Sequence, residues 1–174
     1  MITIISGTNR PESVTRAVVD FYASLLKSKA IDYQVLDLAE LPADFILSAL
    51  YDNTGKNEKF NKLGSMIARS EKFVFIVPEY NGSFPGVLKA FIDGLDYPYT
   101  FKNKKAALVG ISSGMQGGIL AISHLTDIFN YLGMHVLALK VKLAQIGNNF
   151  DGTHLTNELY LDLIEQQVDQ FNEF

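Results

Sequence analysis

The sequence predicts an α/β fold: a five-stranded parallel sheet in the order 2-1-3-4-5, with helices on both faces, forming a three-layer sandwich. Three observations carry this. Apolar strand-like runs alternate with helically spaced apolar residues five times along 174 residues, and such alternation builds a parallel sheet covered on both sides. The middle run, Phe73 to Val77, is continuously apolar, as a strand buried on both faces is. Polar loops follow the first, third and fourth runs. With right-handed crossovers, that strand order makes the three strands neighbours, so their loops meet at one carboxyl edge.

The first strand covers Ile2 to Ile5, followed by the polar loop Ser6-Gly7-Thr8-Asn9-Arg10-Pro11-Glu12-Ser13-Val14-Thr15. Val18, Val19, Tyr22, Leu25 and Leu26 then repeat at helical spacing. Ser13 is placed to cap that helix, because its hydroxyl can accept a free first-turn N–H. A helix N-terminus with nearby hydroxyls and an arginine suits a phosphate. The same residues also make an ordinary capped turn with a solvated arginine. Neither a Gly-Lys-Ser/Thr phosphate loop nor a Gly-x-Gly-x-x-Gly fingerprint is present. The second strand, Tyr33 to Leu38, alternates like one near an edge. Residues 43–59 read as an irregular connection with a partial covering role, and Phe60, Leu63 and Ile67 begin a helix that stops near Ser70.

The third strand must stop at Pro78, which has no N–H to donate. Glu79-Tyr80-Asn81-Gly82 follows, and then Phe84, Val87, Leu88, Phe91, Ile92 and Leu95 form a helical stripe. Taken singly, Tyr80 is a gap-filling ring and Asn81 a turn residue. Together, at the carboxyl end of a buried strand, they point to a ligand. The fourth strand, Ala106 to Ile111, opens into Ser112-Ser113-Gly114-Met115-Gln116-Gly117-Gly118 and a helix that ends at Gly133. Met134 to Leu139 reads as the fifth strand, and Leu159 to Val168 as the last helix. Loops from strands one, three and four converging at one edge is the arrangement by which a doubly wound sheet holds a flavin.

Composition excludes several classes. Apolar residues make up 48% and charged residues 20%, so disorder is not the default. The net charge of −4 argues against a basic nucleic-acid footprint. No cysteine is present, and three scattered histidines lack ligand spacing, so neither thiol chemistry nor a metal site is expected. No apolar run reaches the roughly 18 residues of a membrane span, and no basic region precedes Ile2. The chain is expected to be one domain, residues 1–174, cytoplasmic, and free of nucleic acid and membrane.

Three stretches together resemble the NAD(P)H-dependent FMN reductases. They are Ser6-Gly7-Thr8-Asn9-Arg10-x-x-Ser13, Pro78-Glu79-Tyr80-Asn81-Gly82-Ser83-x-Pro85-x-x-Leu88-Lys89, and Ser112-Ser113-Gly114 with Gly117-Gly118. The second is the most specific. The resemblance implies a flavodoxin-like fold, FMN as cofactor, NADPH or NADH as hydride donor, and a quinone, free flavin or similar small-molecule acceptor. It also implies a homodimer or tetramer. It places the FMN phosphate on Thr8, Arg10, Ser13 and Thr15, with Val14 also among the cofactor-binding residues and Thr15 standing where the family often has asparagine. Pro78, Glu79, Tyr80, Asn81 and Gly82 would edge the isoalloxazine, and Ser112, Ser113, Gly114 and Gly117 would meet its pyrimidine side. No catalytic side chain is expected, since the flavin carries the chemistry. Glu79 is expected to accept backbone hydrogen bonds. The alternatives are a flavodoxin-type electron carrier, whose usual Thr-Gly-x-Thr-Gly loop is missing here, and a non-enzymatic module of the same fold.

Overall fold

The computed structural model describes residues 1–174. Parallel strands β1 (Ile2–Ser6), β2 (Tyr33–Asp37), β3 (Lys72–Pro78), β4 (Lys105–Ile111) and β5 (His135–Val136) form one sheet in the order β2-β1-β3-β4-β5. A further short strand, β6 (Val141–Leu143), also pairs with β4. The flavodoxin-like order expected from the sequence is therefore the observed one.

Alternation along the strands divides two cores. Ile2 and Ile4, Val74 and Ile76, and Ala107, Val109 and Ile111 face one side. Ile5, then Phe73, Phe75 and Val77, then Ala106 and Leu108 face the other. Because both faces are buried, the central strands lack the polar alternation of a half-exposed strand. Helices α1 (Val14–Ser28) and α7 (Glu158–Glu173) cover the first side through Val18, Val19, Tyr22 and Leu26 and through Ile164, Val168 and Phe171. Helices α3 (Glu58–Ala68), α4 (Gly86–Asp93) and α5 (Ile119–Tyr131) cover the second. That side is rich in aromatics: Phe75 and Phe129 lie 4.4 Å apart between ring centroids, and Phe73 and Phe101 5.7 Å. Each fully buried phenylalanine contributes roughly 2–3 kcal/mol.

The segment 43–59 is less irregular than expected. It holds a short helix, α2 (Phe45–Ser48), and one 3-10 turn, Tyr51–Asn53, and Phe45, Ala49 and Leu50 are buried in the second core. Phe45 stacks on Phe60 of α3. The segment covers the core as well as connecting it.

The fifth strand needs a correction. Met134 to Leu139 is not continuous: pairing with β4 runs from His135 to Val136, lapses, and resumes at Val141. Val136 pairs with Ala106 and Val141 with Val109, so this side carries two extra residues in a bulge. Gln167 of α7 fills the gap. It is fully buried, and its Nε2 donates to Leu108 O at 3.0 Å and to Leu139 O at 2.9 Å. A side-chain amide thus satisfies carbonyls that the interrupted ladder leaves open. The two-residue shift keeps Val141 and Leu143 buried and Lys142 exposed. It also sets β6, and the short helix α6 (Ile146–Asn149) after it, beside the loop that leaves β4.

Candidate functional site

Three loops leave the carboxyl ends of β1, β3 and β4. The first is fixed by a close backbone approach. Gly7 N–H donates to Ile76 O at 2.9 Å, and a Cβ on Gly7 would lie 2.9 Å from that same oxygen. Thr8 is fully buried. Its hydroxyl meets Tyr80 OH at 2.9 Å and accepts from Arg10 N–H at 3.3 Å. Ser13 caps α1 as expected, its Oγ accepting from Arg16 N–H at 3.2 Å. The amides of Val14 and Thr15 have no protein acceptor, and the first turn of α1 holds no acidic residue. This end of a fifteen-residue helix therefore keeps its partial positive charge. The one buried side-chain oxygen without a hydrogen-bond partner, Ser6 Oγ, lies at the root of this loop.

The second loop is a tight hairpin. Tyr80 and Ser83 exchange backbone hydrogen bonds of 2.7 and 3.0 Å. The turn between them is Asn81 at φ 51° and Gly82 at φ 75°, the left-handed pair that a two-residue turn of this kind requires. Glu79 N–H donates to Ile111 O at 2.8 Å, tying the hairpin to the end of β4. The Glu79 side chain does not hold the loop by accepting backbone bonds, as the sequence had suggested. It lines the cleft, and backbone-to-backbone bonds do the holding.

The third loop is braced by β6. Ser112 N–H donates to Leu143 O, Ile146 N–H to Ser112 O, and Gln145 N–H to Gly114 O at 2.8 Å. Ser112 Oγ donates to Gly114 O and accepts from Gly117 N–H, both at 2.9 Å. The amides of Asn81, Gly82, Ser113 and Gly114 have no protein acceptor.

The loops enclose a shallow cleft of about 240 Å³ lined by Arg10, Ser13, Val14, Thr15, Pro78, Glu79, Tyr80, Ser112 and Ser113. All of these are sequence-predicted site residues. Other predicted residues stand outside its lining. Thr8 lies behind Tyr80 as a tie between the first two loops. Asn81 and Gly82 form the hairpin tip. Gly114 has open space around it. Gly117 is buried, with Lys142 backbone 2.8 Å from where its Cβ would be, so it packs the loop onto β6. The lining also includes Glu12, Ile111 and Ile146, which sequence reasoning missed. Ile146 arrives from the far side of the β5–β6 bulge, and no local pattern announces it. Arg10 makes no ion pair, whereas Arg16, further along α1, is engaged by Asp20 and Asp37, which hold its guanidinium above its ordinary range.

The donors fit FMN by their chemistry. An unpaired arginine, free first-turn amides and two hydroxyl side chains suit a phosphate dianion. Free amides on the other two loops suit the carbonyl edge of a flat ring.

Comparison with known proteins agrees. The model of the NADPH-dependent FMN reductase family matches residues 1–147. The chain is 30% identical to an FMN-dependent NADPH-azoreductase of Staphylococcus aureus over 164 residues, covering 89% of this chain and 84% of that protein. It is 25% identical to a quinone reductase of Pseudomonas putida over 174 residues, covering 98% and 91%. Among solved structures, the flavoenzyme NAD(P)H:(acceptor) oxidoreductase FerB from Paracoccus denitrificans superposes with a TM-score of 0.79 at 24% identity, covering 99% and 94%.

Proposed function

This chain belongs to the NADPH-dependent FMN reductase family, and from that premise we propose that it is a quinone-type reductase, taking NADPH or NADH as reductant and holding FMN in the cleft between Arg10, Tyr80 and Ser113. The observation that carries this reading is the convergence on one cleft of residues from three loops distant in sequence, with free amides brought to it by the first loop (Val14, Thr15) and the third (Ser113). The relatives' names support the acceptor class: a quinone in one, an azo compound in another.

Each loop has a task. Arg10, Ser13, Thr15 and the amides of Val14 and Thr15 hold the phosphate. Pro78, Glu79 and Tyr80 line one edge of the ring, with Asn81 and Gly82 at its rim. Ser113 and Gly114 offer backbone donors to the pyrimidine side, with Ser112 and Gly117 bracing the loop behind them. FMN, when bound, supplies the redox chemistry, accepting hydride from the nicotinamide and passing electrons to the acceptor. The amides of Ser113 and Gly114 stabilise negative charge without a cationic side chain, because they are fixed in place before any charge develops. No side chain is assigned a catalytic role.

The proposal extends to a cytoplasmic homodimer or tetramer. No helix is long and apolar enough to cross a membrane. A depression between α4 and α5 has an apolar floor of Ile92, Ile128 and Leu132 with Tyr97 and Tyr131, whose rings stack at 6.4 Å while largely exposed, and Lys89, Asp93 and Asp127 complete its lining. Exposed aromatic surface of this kind favours a partner.

An absorbance scan of purified protein tests the reading. Yellow protein bleached by NADPH or NADH and recoloured by a benzoquinone supports it. Yellow protein inert to both nicotinamides indicates an electron carrier, and colourless protein that takes up no added FMN indicates a non-enzymatic module. Sedimentation of the same sample reports the oligomeric state.

A further inference from the structure

We propose that His124 is a positioning residue for the cleft, holding the Asn81–Gly82 hairpin at its working angle through Ser83. The proposal rests on the cleft being the cofactor's seat.

A two-residue turn fixes its own shape but not its direction. The direction depends on what its two legs are tied to. The leading leg is tied twice, by Glu79 N–H to Ile111 O and by Tyr80 OH to Thr8 Oγ1. The trailing leg has one side-chain tie: Ser83 Oγ lies 2.9 Å from Nδ1 of His124. Beyond Ser83 the chain enters α4 through Pro85, which offers no side-chain cap. Without His124 the trailing leg keeps no side-chain hydrogen bond of its own, and apolar packing at Phe84 and Pro85 fixes where the leg ends but not the direction of its polar groups.

The other end of this tie is firm. His124 projects from α5, which is anchored by buried Ala121, Ile122, Leu125 and Phe129. One turn earlier on the same helix face, Leu120 Cδ1 lies 3.7 Å from where a Cβ on Gly82 would be. Helix α5 therefore meets the hairpin at two successive turns, one apolar and one polar. The serine hydroxyl can donate to an unprotonated Nδ1, or accept from a protonated one. The contact survives in either charge state of the ring, so its role is geometric.

His124 is exposed, and a single exposed hydrogen bond adds little to folding. The free amides of Asn81 and Gly82 lie on this turn, and donors of this kind lose much of their effect when their direction is not fixed beforehand. The consequence should appear in cofactor binding rather than in the fold.

The experiment measures FMN dissociation by flavin fluorescence quenching, and amide hydrogen exchange at residues 80–84 in cofactor-free protein. His124→Ala is expected to weaken FMN about five- to tenfold and to speed exchange at Tyr80 and Ser83, whose amides close the hairpin. His124→Asn, whose carboxamide reaches the Nδ1 position, is expected to restore both. His124→Gln, whose carboxamide matches Nε2, is not. Adding His124→Ala to Ser83→Ala should cost nothing further. Unchanged binding and exchange in His124→Ala, or additive losses in the double variant, would overturn the proposal. A wild-type chain that takes up no FMN overturns the reading of the cleft instead, and the exchange data alone then decide whether His124 holds the turn.

Discussion

The two edges of the sheet treat the same helix dipoles in opposite ways. At the amino edge, where helices end, the protein supplies its own cations. Lys104 Nζ donates to Ile67 O and to Ala68 O at 2.8 Å, closing α3 while lying over the Phe73 ring. Lys72 Nζ donates to Phe171 O and Asn172 O, and Lys105 to Phe174 O, closing α7. At the carboxyl edge, where helices begin, α1, α4 and α5 have no acidic residue in the first turn. Arg10 stands there unpaired, and several amides lack acceptors. An edge whose helix ends are met by the chain's own charges is scaffold. At the carboxyl edge the unmet helix starts are those that follow the three loops, since α3 and α7 carry Glu58 and Glu158 in their first turns, and under the proposed reading that unmet charge is what the cofactor's phosphate uses.

The comparison can be broken from either side, and the largest effect is expected at the amino edge. Lys104→Met keeps the length of the side chain but removes both donations to α3. It should destabilise by about 2 kcal/mol and lower Tm by roughly 4–8 °C, leaving FMN uptake unchanged. A variant with wild-type Tm and impaired FMN binding would break the division between the edges.

The carboxyl edge should show the reverse pattern, with a smaller effect. Arg10→Ala should weaken FMN about tenfold, or ~1.4 kcal/mol, with stability within about 0.5 kcal/mol of wild type because the site is exposed. Glu12 is a sharper probe. It is a lining residue of the same cleft as Arg10, and its negative charge opposes an incoming phosphate. Glu12→Gln should tighten FMN about two- to threefold at low salt, with the gain shrinking as salt screens the charge. If both variants weakened binding, the electrostatic account of this edge would fail.

Much of this edge is legible in the sequence because local chemistry builds it. Ser13 caps where capping rules place it, Asn81-Gly82 turns as that pair turns, and Pro78 ends β3. The alternating faces of β1, β3 and β4 follow from apolar content alone. What was hidden depends on distant residues. The break in the fifth strand is stabilised by Gln167, 28 positions beyond Leu139, and nothing between Met134 and Leu139 signals it. Thr8 reads as a phosphate donor until Tyr80, 72 positions later, meets its hydroxyl. In sequence, Lys104 and Lys105 belong to the basic run Lys102-Asn103-Lys104-Lys105, which reads most simply as a solvated turn, because the carbonyls they close lie on α3 and at the end of α7, which no local pattern brings near.

The smallest expected effect sharpens the amino edge through pH. Burial pushes the Lys104 ammonium below the ordinary lysine value of 10.5, with the nearby Glu71 charge partly opposing the shift. The unfolded chain therefore binds this proton more tightly than the folded one. Below the folded value both states are protonated and the contribution is flat. Between the folded value and 10.5 the unfolded state holds more proton, so this group's contribution to stability rises with pH. A neutral amine still donates to both carbonyls, so the cap survives the loss of charge. Lys104→Met has no such titration. The stability gap between wild type and variant should therefore widen as pH rises from neutrality toward 10.5. Burial also raises the Tyr22 hydroxyl well above its usual range, which lowers stability above about pH 10. Both proteins carry Tyr22, so that loss cancels in the difference. Urea midpoints for the two proteins at pH 7.5 and pH 10 measure the gap, and a gap that narrows would mean that Lys104 closes α3 as a charge rather than as a hydrogen-bond donor.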